Sequence, residues 1–377
     1  MKPLTFQKFT LQETAPKEFG AKATRFRSAI HCIKFSRDGN YATLGTSTKL
    51  LCLYNPYRGR LLQTYMGHGL DITGCDSNDD NSCLLSSSKD FSCMYWDVET
   101  GRTLKRFRDH LGAVTCCQFP FDTSSLALTG SIDTNVRVFD CESRNQNKPV
   151  QEMDHATDSI TAIDSKRHYI VSGSADGFVR VYDIRKGKLA SYDLDSGIIS
   201  GLKLSRDCQS CLVNLQAEGR SNETVLLDLL SPEKNIGENG PKILQKINNI
   251  ENYANSMYSI NCCFNGKKED KIITGSDNGY LFRFDLVNGS KSKYNSIKLS
   301  DNPVLSVSHH PTIDGRMICC SAEGYYLVRE EDDVDEHIEK DADLRVEGQT
   351  TNKKRCLERE YLPGAFLGSR DSIYSKF

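Results

Sequence analysis

The sequence lacks the features of a membrane, secreted or nucleic-acid-binding chain. It has no run of 18 or more apolar residues, and its amino terminus, MKPLTFQKFTLQ, has no apolar signal core. We therefore expect a soluble intracellular protein without a membrane span. An excess of one charge is also missing, because 48 Lys and Arg residues stand against 50 Asp and Glu residues, a net charge of −2. This balance predicts no direct contact with nucleic acid.

The motifs of the common enzyme mechanisms are missing too. The sequence contains no G-x-x-x-x-G-K-[ST] phosphate loop, no G-x-S-x-G nucleophile turn, no H-E-x-x-H zinc motif and no G-x-G-x-x-G dinucleotide loop. We therefore predict a protein that is not an enzyme. The same absence predicts no catalytic residue, no cofactor and no small-molecule substrate.

Cysteine, in contrast, is plentiful, with 15 residues. Their number is odd and the chain shows no secretion signal, so we expect reduced thiols rather than a disulfide framework. The adjacent pairs at 116–117, 262–263 and 319–320 lie inside apolar runs, where free cysteine packs as a small hydrophobe. Only Cys208 and Cys211 have the spacing of metal ligands. With no second Cys or His pair at ligand spacing, they predict no metal site.

A repeated unit runs through most of the chain. Its clearest copy, Gly67 to Phe107, carries Gly-His at its start and Trp-Asp near its end. Seven equivalents of that final dipeptide follow one another at steps of 42 to 45 residues, apart from one step of 57. They are Tyr54-Asn55, Trp96-Asp97, Phe139-Asp140, Tyr182-Asp183, Leu227-Asp228, Phe284-Asp285 and Val328-Arg329. This period is typical of four-stranded WD repeats.

The repeats predict an all-β fold, a seven-bladed WD-repeat β-propeller built from residues 29–329. Short runs that alternate apolar and polar residues, separated by Asp or Gly, are typical of antiparallel strands joined by tight turns. The last repeat is one strand short, so we expect a strand from the segment 1–28, between Phe6 and Phe26, to complete the last blade. The residues 330–377, acidic and then basic, are predicted to form a disordered tail. The stretch 231–254 is predicted to loop outward.

Recurring polar residues have a predicted structural role inside the blades. A His, a Ser, an Asp and a Trp at fixed places in a repeat can form one buried hydrogen-bonded chain. The complete set is His68, Ser86, Asp90 and Trp96. Two repeats hold the His and the Asp without the Trp, as His110 with Asp133 and as His155 with Asp176.

Protein binding is predicted for one face of the disc. We call it the top face: the loops that precede the first strand of each blade and the turns between the second and third strands. Candidate binding residues are those beside the structural His and Asp positions. They are Leu70, Lys89, Leu111, Ile132, Thr157, Ala175, Ser276 and Ala322.

Several stretches carry a more specific likeness. Among them are "FSRDGNYATLGTSTKLLCLYNPYRGRLLQTYMGHG" and "LTGSIDTNVRVFDCESR", and the most distinctive part is Asn55-Pro-Tyr-Arg58-Gly, where a generic repeat would carry Trp-Asp. From about Ala29 to Arg329 the chain resembles the mitogen-activated protein kinase organizer family of WD-repeat proteins. The likeness implies a scaffold whose partners are kinase-cascade components in the cytoplasm or splicing factors in the nucleus. Of these two settings we favour association with the spliceosome in pre-mRNA splicing.

A second binding role is open from the segment Ile170 to Arg185, "IVSGSADGFVRVYDIR". It resembles the motif by which WD-repeat substrate receptors dock on the adaptor of cullin-4 ubiquitin ligases. The defining positions are Asp176, Tyr182, Asp183 and Arg185.

Overall fold

The computed structural model of the protein describes most of the repeat region. The described residues are 4–9, 29–120, 125–143, 148–194, 197–216, 223–229, 242–248, 250, 253–266, 269–286 and 294–330. They contain no helix, and so none long and apolar enough to cross a membrane. The predicted tail beyond residue 330 and residues 231–241 of the predicted loop lie outside the described residues.

The described residues form 28 β-strands. In chain order they are β1 (Leu4–Phe9), β2 (Ile30–Phe35), β3 (Ala42–Thr46), β4 (Leu50–Asn55), β5 (Arg60–Met66), β6 (Ile72–Ser77), β7 (Cys83–Ser88), β8 (Cys93–Asp97), β9 (Thr103–Phe107), β10 (Val114–Gln118), β11 (Leu126–Ser131), β12 (Val136–Asp140), β13 (Gln151–Met153), β14 (Ile160–Lys166), β15 (Tyr169–Ser174), β16 (Phe178–Asp183), β17 (Gly187–Asp193), β18 (Ile198–Leu204), β19 (Ser210–Gln216), β20 (Glu223–Asp228), β21 (Lys242–Ile247), β22 (Cys262–Asn265), β23 (Lys271–Thr274), β24 (Tyr280–Asp285), β25 (Tyr294–Lys298), β26 (Val304–His309), β27 (Met317–Ser321) and β28 (Gly324–Glu330).

These strands form seven four-stranded antiparallel sheets, which confirms the predicted seven-bladed propeller. Blades 1 to 6 each take four consecutive strands, from β2 to β25. Blade 7 has the order β1-β28-β27-β26. The stretch predicted to loop outward after Asp228 thus also contains β21, the fourth strand of blade 5.

The amino-terminal strand closes the ring, as predicted. β1 pairs with β28 from Leu4 opposite Glu330 to Phe9 opposite Tyr325. The rings of Phe9 and Tyr325 stack with their centroids 5.1 Å apart, and the side chain of Leu4 is buried. Pairing of β1 satisfies the outer edge of β28, which would otherwise be open to another chain.

The distinctive Asn55-Pro-Tyr-Arg58-Gly segment lies at this closure. Asn55 Oδ1 accepts the backbone N–H groups of Tyr57 and Arg58 at 3.0 and 3.1 Å, so the segment forms a tight turn. The Tyr57 hydroxyl lies 2.9 Å from Nε2 of His310, beyond the first strand of blade 7. Gly59 has a φ of +63°, and a Cβ there would lie 2.4 Å from the ring of Phe9 in β1. The segment therefore connects blade 1 to blade 7 at two places, just after the first strand of blade 7 and at its outermost strand, β1.

Adjacent blades pack through one β-branched residue near the start of each first strand. All seven are fully buried: Ile30, Ile72, Val114, Ile160, Ile199, Ile260 and Val304. In three blades this residue faces a glycine in the second strand of the blade before it. A Cβ added to Gly173, for example, would lie 2.5 Å from Cγ2 of Ile199. Glycine is required here because the neighbouring blade occupies the space of a side chain.

We predict that Gly173→Ala lowers the free energy of unfolding by about 1 to 3 kcal/mol, because the stiff Ile199 side chain cannot move away without strain. Gly69→Ala is the matched control, since its Cβ would meet no atom nearer than 3.6 Å. Urea denaturation followed by the fluorescence of the single tryptophan, Trp96, measures both. Equal midpoints for Gly173→Ala and the unsubstituted chain would show that the blades do not pack this tightly.

Candidate functional site

Blade 2 brings together the four residues predicted to form a hydrogen-bonded chain. The Trp96 Nε1–H donates to Oγ of Ser86 at 2.8 Å, and this oxygen lies 2.7 Å from Nε2 of His68. Nδ1 of His68 lies 3.1 Å from Oδ2 of Asp90 in the turn between β7 and β8. With the proton on Nδ1, every link has one donor and one acceptor, running Trp, Ser, His, Asp.

The same contacts have the connectivity of a Ser-His-Asp catalytic triad. The surroundings do not suit that chemistry. Ser86 is fully buried, and its oxygen already accepts the hydrogen bond from Trp96. A substrate carbonyl has no path to the Ser86 hydroxyl. The hydrogen-bonded chain therefore stabilises the blade instead of activating a nucleophile.

Asp90 is the electrostatic centre of this part of the top face. Burial raises the pKa of its carboxyl, but hydrogen bonds from His68, Ser92 and the Gly69 N–H outweigh burial and hold that pKa well below its usual range. The Arg106 guanidinium from β9 also reaches Oδ2, at 2.8 Å. Asp90 therefore fixes the loop before β6 while carrying a charge that the same blade compensates.

Blade 3 repeats this arrangement with substitutions. His110 Nδ1 lies 2.9 Å from Asp133, and its Nε2 lies 2.7 Å from the hydroxyl of Thr129, which replaces the serine. Phe139 takes the place of the tryptophan and stacks on Phe107. Arg137 reaches Asp133 at 2.7 Å, so this carboxylate is also compensated within its own blade.

The pairing of His155 with Asp176 in blade 4 was predicted, and the structure shows that it is wrong. His155 is exposed, and Asp176 is bound by Arg180 at 2.7 Å and by the Thr157 N–H at 2.9 Å. The buried residue four positions before Ile160 is Ala156, whereas the corresponding residue before the first strand is histidine in blades 2 and 3. The extra residue in this loop shifts His155 out of the blade.

The predicted binding residues on the top face differ in their exposure. Leu111 is 84% exposed and Ile132 is 51% exposed, and Leu70 is exposed beside them. Lys89 and Thr157 are exposed as well, while Ala175 and Ala322 are half-buried. The prediction for Ser276 is wrong. Its side chain is buried because its hydroxyl hydrogen-bonds to the backbone N–H and carbonyl of Ala254.

Four exposed apolar residues on this face were missed by the sequence reasoning. They are Phe91, Ile198, Met257 and Tyr258. Phe91 directly follows the turn carboxylate Asp90, and Met257 and Tyr258 lie in the loop that precedes the first strand of blade 6. A search for apolar residues on both sides of the turn acid would have found Phe91.

The four residues of the ligase-adaptor motif do not form one surface. Asp176 precedes β16, and Arg185 follows it, so the two lie at opposite ends of the strand. Tyr182 and Asp183 are buried. Only the side chain of Arg185, 64% exposed, is available to a partner, and its Nε lies 3.3 Å from Asp183.

The described part of the chain offers no metal centre. In it no three His, Cys, Asp or Glu side chains lie together in a way that could hold a metal ion. The described cysteines are free thiols, and most of them are buried. Cys211 lies in β19 and Cys208 lies just before it. Burial raises the pKa of both thiols.

We predict that the free energy of unfolding falls less steeply with decreasing pH in Asp90→Asn than in the unsubstituted chain. As the pH falls below about 4, the unfolded chain takes up a proton at Asp90 while the folded chain does not, so the free energy of unfolding falls. Asparagine removes this contribution, although Asp133 and Asp176, whose pKa values are lowered too, keep theirs. Urea midpoints measured between pH 5 and pH 3 at constant ionic strength give the two slopes. If the urea midpoints of Asp90→Asn and the unsubstituted chain depend equally on pH, the role assigned to Asp90 is contradicted.

Comparisons with known proteins give the family. The family model "WD domain, G-beta repeat" matches residues 59–97, 101–140 and 147–183. WD repeat domain-containing protein 83 of Rattus norvegicus is 35% identical over 285 residues, covering 76% of this chain and 84% of the relative. The Homo sapiens protein of that name is 34% identical over 306 residues, covering 79% and 90%. The Dictyostelium discoideum homolog is 27% identical over 316 residues, covering 75% and 89%. The chain belongs to the family of WD repeat domain-containing protein 83, the mitogen-activated protein kinase organizer.

Proposed function

We propose that the protein is a non-catalytic scaffold that binds other proteins on its top face and works with the spliceosome in pre-mRNA splicing. The observation that carries the binding role is a patch on blades 2 and 3, which we call the blade 2–3 patch. It consists of Leu70, Phe91, Leu111 and Ile132, all exposed. Large exposed apolar side chains gathered on one face are typical of protein-binding surfaces.

Backbone contacts hold these side chains in place. The N–H of Leu111 donates to Asp133 at 2.9 Å, and the N–H of Ile132 donates to the carbonyl of Ala113 at 3.0 Å. The loop and the turn are thus fixed to each other, beneath the two exposed side chains. A preformed apolar surface loses little conformational entropy when a partner binds.

The setting in splicing rests on the family resemblance and on where its members occur. Relatives are found in a social amoeba as well as in mammals. A role in a nuclear process shared by these organisms fits that range better than a receptor cascade of animal type. We infer that the protein resides in both nucleus and cytoplasm and that splicing factors are its main partners.

Two other settings make different predictions. A scaffold for a mitogen-activated protein kinase cascade would be mainly cytoplasmic and would bind kinases, as the family name suggests. A substrate receptor of a cullin-4 ubiquitin ligase would use Arg185, whose exposed side chain at the face opposite the top is accessible to an adaptor while it pairs with Asp183. Arg185→Ala would then remove the adaptor and leave the top-face partners bound.

The setting is tested by mass spectrometry of proteins that co-purify with the tagged full chain, with and without nuclease. We expect splicing factors in both samples, because protein contacts rather than RNA hold them. Kinases or a cullin adaptor above background, without splicing factors, would overturn the splicing proposal and favour one of the other two settings.

The surface is tested by the double substitution Leu111→Asp with Ile132→Asp. We expect recovery of the top-face partners to fall at least about tenfold, since truncating one interface hot spot typically weakens binding by about 2 kcal/mol. Leu104→Asp is the matched control, because Leu104 in β9 is as exposed as Ile132 but lies on the outermost strand of blade 2. Equal loss in both variants would show that the blade 2–3 patch has no special role.

A further inference from the structure

Among the residues that the structure describes, the turn between the second and third strands carries an acidic residue in five blades. In four of them a cation of the same chain neutralises it. The pairs are Asp90 with Arg106 at 2.8 Å, Asp133 with Arg137 at 2.7 Å, Asp176 with Arg180 at 2.7 Å and Glu323 with Lys8 at 2.5 Å. The fifth acid is Asp277 in blade 6. Among the residues that the structure describes, it has no cationic partner.

The sequence explains the exception. In blades 3 and 4 the cation is an arginine four residues after the acid, as in Arg137 and Arg180. In the turn of blade 6 the acid stands one residue earlier, and the residue in the place of the arginine is Phe282, which pairs with Thr274 as Arg137 pairs with Thr129 and is fully buried in the core. Blade 6 has therefore exchanged the internal counterion for an apolar core residue and kept the acid.

Asp277 still shapes its loop. Its Oδ2 accepts the N–H groups of Ser256 and Met257 at 2.7 and 2.9 Å. Its Oδ1 is buried and has no hydrogen-bond partner within the described residues. The residue as a whole is only half-buried. A carboxylate charge without a counterion is unfavourable there, so a cation from a partner beside it would be stabilising.

Exposed apolar side chains lie in the loop that this carboxylate holds and on the adjoining strand of blade 5. Met257 is 76% exposed and Tyr258 is 46% exposed in the loop that Asp277 holds. Ile198 of blade 5 is exposed and pairs with Gln216, whose side-chain amide donates to the carbonyl of Ser256. Loop and strand are thus linked into one surface, the blade 5–6 patch: Ile198, Met257, Tyr258 and Asp277.

We propose that the blade 5–6 patch binds a basic-apolar peptide segment of a partner protein, with an arginine or lysine paired to Asp277 and an apolar side chain against Met257 and Tyr258. Charge complementarity selects this occupant, because Asp277 is the turn acid left uncompensated among the described residues. Methionine adapts its shape to different apolar side chains, and the tyrosine ring can receive the face of a guanidinium. The proposal rests on the proposed function in that it assumes a protein partner.

The probe is a phage library of random dodecapeptides, selected on the immobilised full chain and followed by affinity measurements on the recovered peptides. We expect recovered sequences to carry an arginine or lysine next to a large apolar residue. Met257→Ser with Tyr258→Ser should weaken their binding at least about tenfold. Leu104→Ser is the matched control. It replaces an exposed apolar residue by serine on the outermost strand of blade 2, and it should leave the affinity of the peptides unchanged.

The charge pairing is tested by Asp277→Asn, which retains an oxygen to accept the two loop N–H groups. We expect it to weaken binding about tenfold, and we expect replacement of the peptide's basic residue by glutamine to cause no further loss in this variant. A thermal melt equal to that of the unsubstituted chain shows that the loop change does not unfold the protein.

Other outcomes overturn the proposal. They are recovery of no binding peptide, recovery of peptides without a basic residue, and affinities that depend on Leu111 and Ile132 instead of Met257 and Tyr258. Failure of the proposed function looks different: Leu111→Asp with Ile132→Asp would then leave co-purifying proteins unchanged, whatever the peptides do.

Discussion

The structure depends on closing the ring between blade 7 and blade 1. Each blade has two largely apolar faces, so the six internal contacts leave one face of each end blade exposed unless the ends meet. They meet through a core in which Ile30 and Phe35 of blade 1 pack with Ile318 and Tyr325 of blade 7. β1 then adds the outermost strand of blade 7 from the opposite end of the repeat region. Blade 7 thus combines one strand that precedes the repeats with the last three strands of the repeats.

The Asn55-Pro-Tyr-Arg58-Gly segment reinforces this junction from the side of blade 1. Tyr57 contacts His310, and burial together with nearby Arg316 lowers the pKa of His310 to about 4, so the imidazole is neutral at pH 7. Nδ1 of this ring accepts the backbone N–H groups of Thr312 and Ile313, so Nε2 carries the proton and donates to the Tyr57 hydroxyl, which in turn donates to the carbonyl of Gly39. Gly59 leaves room for Phe9. In the described structure this segment therefore stabilises the closure of the ring through contacts within the chain.

Much of this fold could be predicted from the sequence, because the repeat has a constant length and its polar positions recur. The hydrogen-bonded chain from Trp96 to Asp90 was predicted from the recurring polar positions, and the closing strand was predicted because the last repeat is one strand short. His155 shows the limit: one extra residue in a loop moves a side chain from the core to solvent, and the pattern of letters stays nearly the same. The burial of Ser276 depends on its bonds to Ala254, and so on loop geometry that spacing does not reveal.

The turn acids show how one position can serve both stability and binding. The carboxylate oxygen that accepts N–H groups from the preceding loop is required in blades 2, 3, 4 and 6 to order the top face. The negative charge of the carboxylate is not required for that task, and in blades 2, 3 and 4 an arginine of the same blade neutralises it by forming an ion pair. Loss of the arginine leaves the loop intact in blade 6 and leaves a charge for recognition. Specificity for a basic partner thus arises without a new acidic residue.

The two patches stand apart on the ring, and this separation suits a scaffold. Blade 4 lies between them on one side, and blades 7 and 1 lie between them on the other. One patch is apolar with compensated acids beneath it, and the other adds an uncompensated carboxylate, so the two favour partners of different chemistry. Because close packing of Ile199 and its equivalents makes neighbouring blades rigid to each other, two bound proteins would be held at a fixed distance. A disc that orders two different partners in this way needs no catalytic group of its own.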